Sequence, residues 1–124
     1  MKMKEGMIMS DKKRKRIARL IKWNRWAKLS KMLQKGDAET RIAIAAEFAG
    51  SNDDHAYNNL ILLLKDSDDK VVEQAIKSLG ELGHERAKVH LQNMLSNLPE
   101  EKKALADVIK ESIAQINKAI SQEG

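Results

Sequence analysis

The chain has 124 residues, 42% of them apolar and only 3% aromatic, with one proline and no cysteine. That excludes a disulfide framework, thiolate chemistry and a cysteine-based metal site, and no apolar run approaches the eighteen residues of a membrane span. The net charge of +5 is unevenly placed: residues 1–35 carry +11 and residues 36–124 carry −6. Such an asymmetry suggests an anionic partner for the basic arm, or an arm lying against its own acidic body. The first nine residues lack the apolar run of a secretory signal, so a cytoplasmic protein is expected. Met9 is an alternative start to Met1.

Residues 1–11 read as a disordered leader. From Lys12 to Lys35 helix formers dominate. Ile17, Leu20 and Ile21 share one side, while Ala27, Leu29, Met32 and Leu33 form a second apolar set that is rotated from the first. The spacing therefore predicts a helix over 12–35 with a bend near Trp23–Asn24. Gly36 is placed to end it in the left-handed conformation, and Asp37 to cap the next helix, 38–49. Gly50–Asp53 repeats this stop and start before a helix at 54–65. Ser67 and Asp68 open a helix at 69–81, Leu82–Gly83 closes it, and another follows at 84–96. Pro99, Glu100 and Glu101 suit a first helical turn. The series Leu105, Ile109, Ile113, Ile116, Ile120 then predicts one long helix over 99–121.

These elements recur with a period of 31. Leu29, Leu60 and Leu91 are 31 apart, as are Met32, Leu63 and Met94, and Leu33, Leu64 and Leu95. Asp37 pairs with Asp68, Phe48 with Leu79 and Ala49 with Gly80 at the same step. A fixed period of this length marks a stacked repeat array. The core string Leu64-x-Asp66-x-Asp68-x-x-Val71-Val72-x-x-Ala75-x-x-x-Leu79-Gly80, followed by Leu82-Gly83-x-x-x-Ala87-x-x-x-Leu91-x-x-x-Leu95, resembles short HEAT repeats of the bilin-lyase type. The resemblance covers residues 24–98, leaving 12–23 as a basic helical arm and 99–121 as a capping helix. It implies an all-α fold: a HEAT-like α-α superhelix of about three helix pairs, of armadillo type, in a single domain over 12–124. It departs from the pattern at Val72, where an arginine often stands; Arg41 occupies that place in the preceding unit.

The architecture hosts many unrelated functions, so chemistry must be sought in particular residues. His84-Glu85 is similar to the iron-binding pairs of deoxyhypusine hydroxylase, but that enzyme needs several pairs. The equivalent positions one period earlier are Asp53 and Asp54. The plainer reading is that His84 caps a helix or is exposed. His84 and His90 are six apart, on nearly opposite helix faces, unlike the four-residue step of a zinc-protease helix. Asp66, Asp68 and Asp69 lack the glycine and distant glutamate of an EF-hand. No phosphate-binding glycine loop and no nucleophile motif is present. A non-enzyme without cofactor or bound metal is expected.

Two surfaces are candidates for binding. In arrays of this resemblance the second helices line the concave side. There Trp26, Tyr57 and Lys88 are equivalent by the period, with Lys28, Asn59 and His90 in a parallel row. Either they form an aromatic-basic ledge suited to a protein partner, or Trp26 covers the end of the core and Tyr57 packs between helices. The second surface is the arm, with Arg14, Lys15, Arg16, Arg19, Lys22 and Arg25. Its clustered charge and two Trp suit phosphates and bases, an anionic membrane surface or an acidic protein groove. The string Lys12–Arg16 would also pass as a nuclear localisation signal. The expected function is a protein-interaction or scaffold module; the alternative is nucleic-acid or other polyanion binding through the arm. The arm's stripe, Ile17, Leu20 and Ile21, is expected to cap the array, leaving Arg14, Lys15, Arg19 and Lys22 free.

Overall fold

Three helices start at an aspartate whose side chain satisfies free N–H groups of the first turn. Asp37 accepts from Thr40 N at 2.9 Å, Asp53 from His55 N at 2.8 Å, and Asp68 from Lys70 N at 2.8 Å and Val71 N at 3.3 Å. In the computed structural model, backbone is described over residues 2–123 and side chains over 11–122. The helices are α1 (Lys2–Lys22), α2 (Trp26–Lys35), α3 (Ala38–Phe48), α4 (Asp54–Leu63), α5 (Asp69–Leu82), α6 (Glu85–Ser96) and α7 (Leu105–Glu123), with a 3-10 turn at Glu100–Lys102. There is no strand among the described residues. The leader expected over 1–11 falls, Asp11 apart, on residues whose side chains lie outside the described set.

Three expectations need correction. The helix over 12–35 is two helices. Asn24 adopts φ 56°, a left-handed conformation that asparagine tolerates, and Arg25 N donates back to Leu20 O at 2.8 Å. Gly36 does not take the left-handed conformation; its φ is −73°. What requires glycine there is crowding, since a Cβ would lie 2.4 Å from Met32 O. The left-handed stop is Gly83, at φ 67°. Nor is 99–121 one helix. Lys102 Nζ reaches Asp69 Oδ1 at 2.7 Å, which pins a 3-10 turn beside the start of α5, and the chain turns again before α7 begins at Leu105.

The helices form two layers. α1, α3, α5 and α7 pack in sequence as a layer of first helices; α2 packs on α1 and α3, α4 on α3 and α5, and α6 on α7. The 31-residue register is read out directly in burial: Leu29, Leu60 and Leu91 are all fully buried, as are Phe48 and Leu79. Adjacent positions exchange size between units. Ile44 and Ala45 become Ala75 and Ile76, all four buried, which conserves volume while changing shape. One cluster runs from Ile17 to Ile116, and Leu20 and Ile21 pack against it. The stripe of α1 therefore occupies the place of a first helix at the end of the array.

α5 comes close to α7 at Gly80, where an added Cβ would meet Ser112 Cβ at 2.9 Å and Gln115 Oε1 at 2.8 Å. Gly80→Ala is expected to destabilise the fold by about 1–3 kcal/mol through overpacking, although alanine is the better helix former by about 1 kcal/mol. Urea denaturation checks this; a more stable variant would show that α5 and α7 do not meet so closely.

Candidate interaction surface

The second helices carry the features that sequence analysis singled out, but the aromatic rings are already in contact with protein. Trp26 is half-buried, with its ring 5.0 Å from the His55 ring and nearly parallel to it, and 6.1 Å from Phe48. Tyr57 is 5% exposed; the Arg86 guanidinium lies 3.9 Å from its ring centroid and the His84 ring 5.7 Å away. Arg86 also pairs with Asp54. Of the expected row, Lys28 and His90 are exposed, and Lys88 and Asn59 are half-buried; Asn59 donates from Nδ2 to the His55 carbonyl at 2.8 Å. Tyr57 thus packs between α4 and α6.

Sequence reasoning overlooked His55 and Arg86, yet the signal was present. They are 31 apart, and each stands 29 residues after the aromatic it covers, Trp26 and Tyr57 respectively. A residue two places before each aromatic position therefore covers the aromatic of the preceding unit. His84 has no side-chain capping hydrogen bond, contrary to the capping reading; it lies against Tyr57 instead.

The acidic residues around the turns are held structurally. Asp66 receives Arg41 Nε at 2.9 Å and Nη2 at 3.2 Å, and Arg41 also donates to Gly36 O at 2.7 Å. The lone repeat arginine thus ties the α2–α3 turn to the α4–α5 turn. With Asp68 capping α5 and Asp69 held by Lys102, all three acids of the calcium-like string have partners. Among the described residues no three His, Cys, Asp or Glu side chains are grouped to hold a metal ion.

Charge is sided. After the first turn of each helix, α2, α4 and α6 contain no carboxylate; Asp54 and Glu85 are the acids at their starts. The remaining acids lie on the first helices and in the turns. The second helices and the turn after α4 carry Lys28, Lys31, Lys35 and Lys65 with the amides Asn58, Gln92 and Asn93, all exposed. Among the described residues three large apolar side chains are strongly exposed, and two are on this layer: Leu62 at 70% and Val89 at 59%. A cleft between α4 and α6 is lined by Ile61, Leu64, Lys65, His90, Asn93, Met94 and Asn97.

On α1 the expected freedom of the basic flank holds only in part. Arg14 Nε pairs with Glu47 at 3.1 Å, and Lys13 Nζ donates to Thr40 at 3.2 Å, so these two bind the acidic body. Lys15, Arg16, Arg19, Lys22 and Arg25 are exposed and make no ion pair among the described residues.

Hydrogen bonds from Thr40 and His55 backbone N–H groups hold Asp37 and Asp53 below the usual carboxylate range. Burial pushes the Tyr57 hydroxyl up, and the nearby Arg86 charge opposes this. A carboxyl depressed on folding stabilises the protein fully above its unfolded value, near 4, and loses that contribution as pH falls through the folded value. Thermal stability is therefore expected to fall between about pH 4 and lower pH. The doubly substituted Asp37→Asn, Asp53→Asn protein, which keeps both caps without their charge, should show a shallower fall. An unchanged slope would contradict the assignment.

No helix among the described residues is long and apolar enough to cross a membrane. No curated protein and no solved structure matches the chain. The sequence profile of HEAT repeats matches residues 27–112, from the start of α2 into α7. Such repeats are generally protein-interaction scaffolds and typically non-catalytic. Two layers of helices, a core repeated every 31 residues and a match over more than half of the sequence agree: the chain belongs to the HEAT repeat family.

Proposed function

We propose that this protein is a non-catalytic scaffold module whose second-helix face docks an extended, acidic stretch of a protein partner. The observation that carries the reading is the sidedness of charge. Lys28, Lys31 and Lys35 stand on α2 and Lys65 just after α4, in a layer whose helices have no carboxylate beyond their first turns. Carboxamides both donate and accept hydrogen bonds, so Asn58, Gln92 and Asn93 match the backbone of an extended peptide. Leu62 and the cleft between α4 and α6 supply the apolar anchor that a stable interface needs at its centre. Trp26 and Tyr57 then act as the rigid floor of the face, stacked under His55 and Arg86.

The test is selection from a random peptide display library against the whole protein. Recovered sequences should carry Asp or Glu around a Leu, Ile or Phe. Leu62→Asp should weaken them by about tenfold or more, the range of a lost hot spot, whereas Lys77→Glu on the exposed side of α5 should leave them unchanged. Peptides without acidic enrichment, or equal sensitivity to both substitutions, would refute the reading.

A further inference from the structure

The third strongly exposed apolar side chain is Trp23, at 69%, and it lies in the turn between α1 and α2. It follows α1 directly, in the turn made by Asn24. That turn is held by three backbone hydrogen bonds: Trp23 N to Arg19 O at 2.9 Å, Asn24 N to Ile21 O at 3.0 Å and Arg25 N to Leu20 O at 2.8 Å. The left-handed Asn24 returns the chain so that Arg25 comes beside α1. Trp23, Leu20, Arg16, Arg19 and Arg25 then line one open cleft of about 500 Å³. Lys22 Nζ lies 6.0 Å from the Trp23 ring. The sequence from Lys12 to Gly36 contains eleven Lys or Arg and no acid. An indole left in water on a hydrogen-bonded turn, beside guanidiniums that have no carboxylate partner among the described residues, contributes little to the packing of the array.

We infer that this cleft binds single-stranded nucleic acid, with a base stacked on Trp23 and neighbouring phosphates held by Arg16, Arg19 and Arg25. Guanidinium forks pair bidentately with phosphate oxygens. Arg16 and Arg19 are three apart on one helix, hence neighbours on its surface, so they address adjacent groups of one backbone. An exposed indole offers a sequence-tolerant stacking platform. A duplex keeps its bases inside the stack, so an unpaired strand fits the platform. An anionic membrane surface fits less well, because an interfacial helix buries its apolar face in lipid. Here Ile17 is fully buried in the protein core, with Leu20 and Ile21 packed against it. An acidic peptide satisfies the arginines but gives the indole no flat partner. This inference does not rest on the proposal for the second-helix face.

The test measures binding of a twelve-nucleotide oligothymidylate to the whole protein. The probes for comparison are an abasic oligomer of the same length and polyglutamate. Oligothymidylate is expected to quench tryptophan fluorescence and to bind with a log–log salt slope of roughly −2, about −0.7 for each of three neutralised phosphates. Trp23→Ala should weaken it by roughly 5- to 150-fold, the range of one lost base stack. Arg16→Glu with Arg19→Glu should abolish it. Circular dichroism confirms that each variant is folded, and Leu62→Asp, which tests the other face, should leave oligonucleotide binding intact. Equal affinity for the abasic oligomer, or no effect of Trp23→Ala, would overturn the stacking site. Polyglutamate binding as tightly, with the same dependence on Trp23, would assign the cleft to an acidic polypeptide instead.

Discussion

Leu60→Ala and Leu91→Ala are each expected to lower stability by about 2–5 kcal/mol, the range for truncating a buried leucine. Both side chains are fully buried, and they occupy the same place in successive units, on α4 and α6. The helix of Leu60, α4, packs on both α3 and α5, whereas that of Leu91, α6, packs chiefly on α7. The larger loss is therefore expected at Leu60, where neighbouring helices limit collapse into the space left behind. Chemical denaturation of the two variants decides the matter. Losses near zero at both sites would show that the 31-residue register does not mark the core.

The second large effect concerns α1. Ile17→Asp places a carboxylate where the side chain has no exposure, with apolar neighbours from the same core as Phe48 and Ile44. An uncompensated buried charge costs about 3–5 kcal/mol. The array is expected to respond by releasing α1, which uncovers its terminal face. Lys15→Asp, on the exposed side of the same helix, should change stability by less than about 0.5 kcal/mol. Trypsin supplies the structural readout: Ile17→Asp should open cleavage at Arg16 and Arg19, while Lys15→Asp should not. If α1 stays protected in Ile17→Asp and stability is unchanged, the helix is an accessory arm and not the first layer of the stack.

Much of this architecture is legible in the residues themselves. Aspartates at 37, 53 and 68 announce helix starts because short acidic side chains reach free N–H groups, and all three do so in the structure. Apolar spacing placed the leucines of the second helices because each must face the core in every unit. The breaks were harder. Asn24 takes a left-handed turn in a stretch free of glycine and proline, and helix propensity alone does not separate it from a bend. The 3-10 turn after Pro99 depends on Lys102 meeting Asp69, a pairing 33 residues apart that local pattern cannot reveal. The site was legible in composition but not in contact. Equivalence by the period gathered Trp26, Tyr57 and Lys88 into one row. It took the stacking of His55 on Trp26 and Arg86 on Tyr57 to show that these rings are already covered by neighbouring side chains.

Whether the second-helix face holds a protein partner is tested most directly by site-specific photo-crosslinking. A photoreactive amino acid is placed at Leu62, which is 70% exposed on α4, or at Lys77, exposed on α5. Each protein is irradiated in nuclease-treated extract of the cell that makes it, and the joined peptides are identified by mass spectrometry. The account predicts crosslinks from position 62 to Asp- or Glu-rich segments, competed by the peptides selected from the display library, and none from position 77. Crosslinks of equal yield from both positions, or products at position 62 that lack acidic segments, would contradict it.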